Sequence, residues 1–74
     1  LTMNEIDKII LSDPRIKDLN KKELTEYEIF TKNDIGYLIE EGVSEPDIIL
    51  FVKSLIEVFF TIIIDKRRKK IRKI

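Results

Sequence analysis

The chain has 74 residues, with 14 basic and 14 acidic side chains, no histidine and no cysteine. That length holds one small domain and buries only about 60% of its unfolded surface. The missing residue types exclude disulfides, thiolate chemistry and the usual zinc ligands, and the lack of cysteine fits a cytoplasmic location.

The zero net charge hides an asymmetry. Seven of the fourteen basic residues lie in 66–74, so residues 1–65 carry seven bases against all fourteen acids, a net −7. A charge split of this kind concerns partners rather than fold. Residues 1–11 show neither the basic start nor the long apolar core of a secretory leader.

Taken in chain order, Thr2-Met3-Asn4-Glu5 reads as a capping box, with Thr2 as N-cap and Glu5 reaching back. Met3, Ile6, Ile9 and Ile10 form a short helical stripe. Ser12-Asp13-Pro14 ends that helix, because the residue before proline is pushed out of the helical region. Residues 15–24 form a polar connection or short helical turn, anchored by Ile16, Leu19 and Leu24.

Thr25-Glu26-Tyr27-Glu28 is a second capping box, and it predicts a helix from about 26 to 41. Tyr27, Phe30, Ile35, Leu38 and Ile39 lie on its apolar side. Gly36 and the polar Lys32-Asn33-Asp34 run are its weak point, where the segment can divide in two. Gly42 stands where a left-handed C-cap is wanted.

Ser44-Glu45-Pro46-Asp47 is the strongest start signal in the chain. Ser44 can cap, Pro46 is tolerated in the first turn and Asp47 suits the positive end of the dipole. The helix that follows can run to the end of the chain. No segment alternates with period two long enough for a strand. The prediction is an all-α fold, residues 1–74 forming a small bundle of three to four helices with a long C-terminal helix.

Within that helix, residues 48–64 (IILFVKSLIEVFFTIII) are apolar over an unusually wide arc. Lys53, Ser54, Glu57, Thr61 and Asp65 share a polar sector of about 120°, whereas an ordinary surface helix is polar over most of its circumference. The apolar residues sort onto two flanks. Ile48, Phe51, Leu55, Val58 and Ile62 centre on one, and Ile49, Val52, Ile56, Phe59, Phe60 and Ile63 on the other. Two short companions can cover one flank. The second predicts an interface with another protein chain, built from Ile48, Phe51, Leu55, Val58, Phe59 and Ile62. Lys53 and Glu57 are spaced as an ion pair on the polar sector, and charges at mid-segment argue against a membrane span.

The basic tail of Lys66, Arg67, Arg68, Lys69, Lys70, Arg72 and Lys73 suits phosphates or an acidic partner surface. It has no interleaved aromatic residue for base stacking. A small nucleic-acid-binding helical protein is therefore the alternative reading. No catalytic constellation emerges, and no metal or other cofactor is expected. Glu40 and Glu41 point about 100° apart on a helix. Asp13, Asp18 and Asp34 lack the spacing of a cation cage. Ser12 and Ser44 have no base to activate them.

Two stretches together resemble the α-helical domain of the archaeal GINS replication complex. The first is LTEYEIF at 24–30, similar to the family's Leu-x-x-x-aromatic helix start. The second is the apolar helix closing on IIIDKRRKKIRKI, where Arg67, Lys70 and Ile71 match a basic Arg-x-x-Lys-Ile pattern. The order of short helix, connection, helix, turn and long helix is also similar. The resemblance implies a non-enzymatic subunit that assembles through its long apolar helix, as a homo- or hetero-oligomer. It also implies a bridge between the MCM replicative helicase and a RecJ-like partner, with DNA nearby and a nucleoid-associated location. Family subunits usually carry a small β domain, so residues 1–74 would then be one piece of a longer subunit.

Overall fold

The computed structural model describes the backbone of residues 1–72 and the side chains of residues 1–69. Among the described residues there is no strand. The elements are α1 (Met3–Leu11), a 3-10 turn (Pro14–Asp18), α2 (Lys21–Lys32), α3 (Ile35–Glu40) and α4 (Glu45–Arg72). At 1.5 Å per residue α4 is about 42 Å long, and it runs through a body that measures 49 × 18 × 16 Å.

Local signals set most of the boundaries. Thr2 caps α1 by accepting the Glu5 N–H at 3.3 Å, and its hydroxyl donates to the Glu5 carboxylate. After Leu11 the chain turns at Asp13, whose carboxylate accepts the Arg15 N–H, and Pro14 opens the 3-10 turn. Ile16, Leu19 and Leu24 pack against the core as expected.

The second capping box forms five residues earlier than expected, at Asn20 rather than Thr25. Asn20 accepts the Glu23 N–H at 2.8 Å, and Glu23 accepts the Asn20 N–H at 2.9 Å. Thr25 lies inside α2, with its hydroxyl bonded to the Lys21 carbonyl. Asn-Lys-Lys-Glu satisfies the same reciprocal pattern as Thr-Glu-Tyr-Glu, and starting there adds a turn of helix without exposing apolar surface. The predicted 26–41 helix divides between Lys32 and Ile35, at the polar run flagged as its weak point.

At the end of α3 the Val43 N–H reaches the Leu38 carbonyl, and the Gly42 N–H reaches that of Ile39, both at 3.1 Å. With Gly42 at φ +75°, this is a Schellman motif. Val43 and Leu38 both pack on the core, supplying its usual apolar contact. Ser44 then donates to Asp47 at 2.8 Å across the first turn of α4.

The core draws on every helix: Ile6 and Ile10 from α1, Tyr27 and Thr31 from α2, Ile35 from α3, and six residues of α4. Tyr27 sits at its centre. Its ring meets those of Phe59 at 5.2 Å and Phe60 at 5.4 Å, and the two phenylalanines meet edge-on. Its hydroxyl donates to the Ile10 carbonyl at 2.6 Å. Carbonyls in the last turn of α1 lack helical partners. Here the Ser12 N–H takes that of Lys8, the Ser12 hydroxyl that of Ile9, and Tyr27 that of Ile10. Burial pushes the Tyr27 phenol up to about 12.

Gly42→Ala destabilises the chain by about 1 kcal/mol, because a Cβ is strained at positive φ, although nothing lies within 4 Å of it. Gly36→Ala, equally open but helical, stabilises by about 0.5–1 kcal/mol. Thermal unfolding of the two variants should therefore shift in opposite directions. Tyr27→Phe orphans the Ile10 carbonyl and costs about 1–3 kcal/mol in a denaturant titration.

Candidate functional interface on the long helix

The two flanks of α4 have different fates. One flank is enclosed by the chain itself: Val52, Ile56, Phe59, Phe60 and Ile63 are at most 5% exposed. The other is not covered. Val58 is 46% and Ile62 41% exposed, and Phe51 and Leu55 are half-buried. These four residues are spaced i, i+4, i+7 and i+11, so they form one continuous stripe along α4.

Two residues assigned to the interface from sequence belong instead to the core. Ile48 is 2% and Phe59 5% exposed. Ile48 lies at the border of the two flanks, where the other helices reach it. Phe59 belongs to the enclosed flank, where its ring meets those of Tyr27 and Phe30 at an angle. Neither side chain is available to a second chain in this fold.

The stripe widens at its middle. Ile29 and Phe30 of α2 stand beside Leu55 and form a shallow groove rimmed by Glu26, Asn33 and Asp34. Ile29 is 65% exposed. Sequence periodicity passed over it, although an isoleucine off the apolar side of a helix is itself a signal.

On the far side the stripe is bordered by Ser54 and Thr61. Their hydroxyls donate to the carbonyls of Leu50 and Glu57 at 2.9 and 2.8 Å. With those hydroxyls turned back on the helix, the border presents small side chains and no charge. Close approach of another helix is therefore sterically open along residues 51–62.

The basic run does not form one uniform surface. Arg67 turns back on the body, donating to the Asp18 carbonyl at 2.9 Å and lying 3.4 Å from Glu23. Lys69 pairs with Asp65 at 3.4 Å. Lys66 and Arg68 are exposed. The side chains of Lys70, Arg72 and Lys73, expected as nucleic-acid or acidic-partner contacts, lie outside those described, as does that of Ile71. Consecutive positions on a helix are about 100° apart, so Lys66 through Lys69 point in four directions.

Glu57, expected to pair with Lys53, is taken by a more distant partner. Arg15 of the 3-10 turn bonds both Glu57 oxygens, at 2.8 and 2.9 Å, and both Asp13 oxygens, at 2.7 and 2.9 Å. Its guanidinium carbon lies 4.4 Å from the Phe60 ring centre, a cation–π contact. The planar fork of arginine suits this double bidentate grip. Hydrogen bonding to Arg15 holds the carboxyls of both Asp13 and Glu57 below the usual range.

Among the described residues no group of three acids is placed to hold a metal ion, and no helix is long and apolar enough to cross a membrane. No family model, curated protein or solved structure matches the chain.

The Arg15 grip gives a pH dependence whose sign is fixed. Carboxyls with folded pKa values below their unfolded ones add stability above the unfolded range and lose it as pH falls through the folded values. The thermal midpoint is therefore flat near neutrality and drops as the solution is acidified below about pH 4. Arg15→Met lowers the midpoint at neutral pH and makes the acid limb shallower, as a pH series of thermal melts will show.

Proposed function

We propose that this chain is a non-enzymatic assembly module that docks on another protein through the outer stripe of α4, in the service of a GINS-like DNA replication complex. The observation that carries the docking is the uncovered flank of Phe51, Leu55, Val58 and Ile62, joined by Ile29 and Phe30. Apolar surface left in water is unfavourable by about 25 cal/mol per Å², so a contiguous patch of this kind marks a binding face. Its neutral, small-residue border favours a helix as the docking element.

The replication setting comes from the resemblance to GINS helical domains. The succession of a short helix, a connection, a middle segment and a long apolar helix is in keeping with it. One departure matters: LTEYEIF lies within α2, which begins at Lys21, rather than opening a helix. The basic run is assigned a secondary part. Arg67 serves the fold, which leaves Lys66, Arg68 and the Asp65-paired Lys69 as its exposed described members.

In the test, the free chain either self-associates or binds a hydrophobic dye, and Val58→Glu with Ile62→Lys removes that behaviour while leaving the helical circular dichroism intact. Both positions are more than 40% exposed, so these substitutions alter the surface and spare the core. A wild-type chain that is monomeric and binds no dye overturns the docking reading. For the replication setting, the chain should co-elute with an MCM helicase or RecJ-like protein, and the double variant should not. Co-elution with neither removes that setting alone.

A further inference from the structure

We infer that the occupant of the stripe is a second copy of this chain, with the two α4 helices packed antiparallel. This deepens the docking reading above and rests on it. Phe51, Leu55, Val58 and Ile62 repeat with alternating steps of four and three, the seam of a coiled coil. The seam is closed at its C-terminal end by Asp65 and Lys69, which continue the same spacing as charges. Its exposed apolar length is therefore 51–62, centred between Ile56 and Glu57.

Antiparallel pairing about that centre sets Leu55 of one copy against Val58 of the other, and Phe51 against Ile62. The border residues then pair as well. Ser54 lies next to Thr61 of the other copy, small against small. Asp47 lies next to Arg68 of the other copy, opposite charges, at both ends of the seam. Asp47, Ser54, Thr61 and Arg68 recur every seven residues and are all exposed, so one seam edge carries a self-complementary charge pattern. Parallel pairing in register would instead gather like charges at each end. The antiparallel arrangement also keeps both bodies on one side of the seam. Ile29, beside Leu55, then approaches its own counterpart near the two-fold axis, as an isologous interface requires.

The chain lacks cysteine, so single thiols report this geometry directly. Ser54→Cys and Thr61→Cys are prepared separately, mixed and treated with a short bifunctional maleimide, and sedimentation is followed across the soluble concentration range. The expected result is a concentration-dependent dimer, 54–61 links exceeding 54–54 and 61–61 links several-fold, and self-association weakened more than about tenfold by Val58→Glu. A dimer with mostly same-site links overturns the antiparallel copy. A chain that stays monomeric overturns self-pairing altogether. In that case dye binding sensitive to Val58→Glu preserves the docking reading, and its absence ends both.

Discussion

The fold depends on the contact of Tyr27 with Phe59 and Phe60. A bundle this small has little apolar surface to bury, and each short helix is marginal by itself. Tyr27 ties three elements with one side chain. Its ring packs on α4, its backbone belongs to α2, and its hydroxyl closes the last turn of α1. Phe60 extends the junction to the 3-10 turn, whose Arg15 lies over its ring. One aromatic group thus fixes where α1, α2 and the 3-10 turn meet the long helix.

That junction also determines what stays uncovered. α1, α2 and α3 all gather on the side of α4 that carries Val52, Ile56, Phe59, Phe60 and Ile63. No described element crosses to the opposite flank of Phe51, Leu55, Val58 and Ile62. The outer stripe is therefore a consequence of where the shorter helices gather as much as of composition. The same 17 residues that build the core also exceed it.

How legible this was in the sequence depended on distance along the chain. Thr2, Pro14 and Gly42 act within four residues of themselves, and their capping and turn chemistry was readable in full, whereas the Ser44 hydroxyl donates to the Asp47 carboxylate. The two flanks of α4 were readable because helical periodicity is geometric. Which flank would be covered was less so: Ile48 lies on the border, and only the placement of the other helices moves it inward. The start of α2 was misread because two stretches satisfy the same capping pattern, and the apolar run beginning at Tyr27 favoured the later one. The grip of Arg15 on Glu57 spans 42 positions, and no local rule anticipates it. The spacing of Lys53 and Glu57 pointed to a nearer pair, which lost to a guanidinium able to bind two carboxylates at once.

Arg67 gives the distal end of α4 a hold on the beginning of α2. Glu23 Oε1 accepts the Asn20 N–H and also lies 3.4 Å from the Arg67 guanidinium, so one oxygen serves two masters. Levering the end of the long helix away from the body would release that oxygen and the Asp18 carbonyl together. Mechanical load applied at the tip would thus be felt first at the start of α2, some 44 residues upstream.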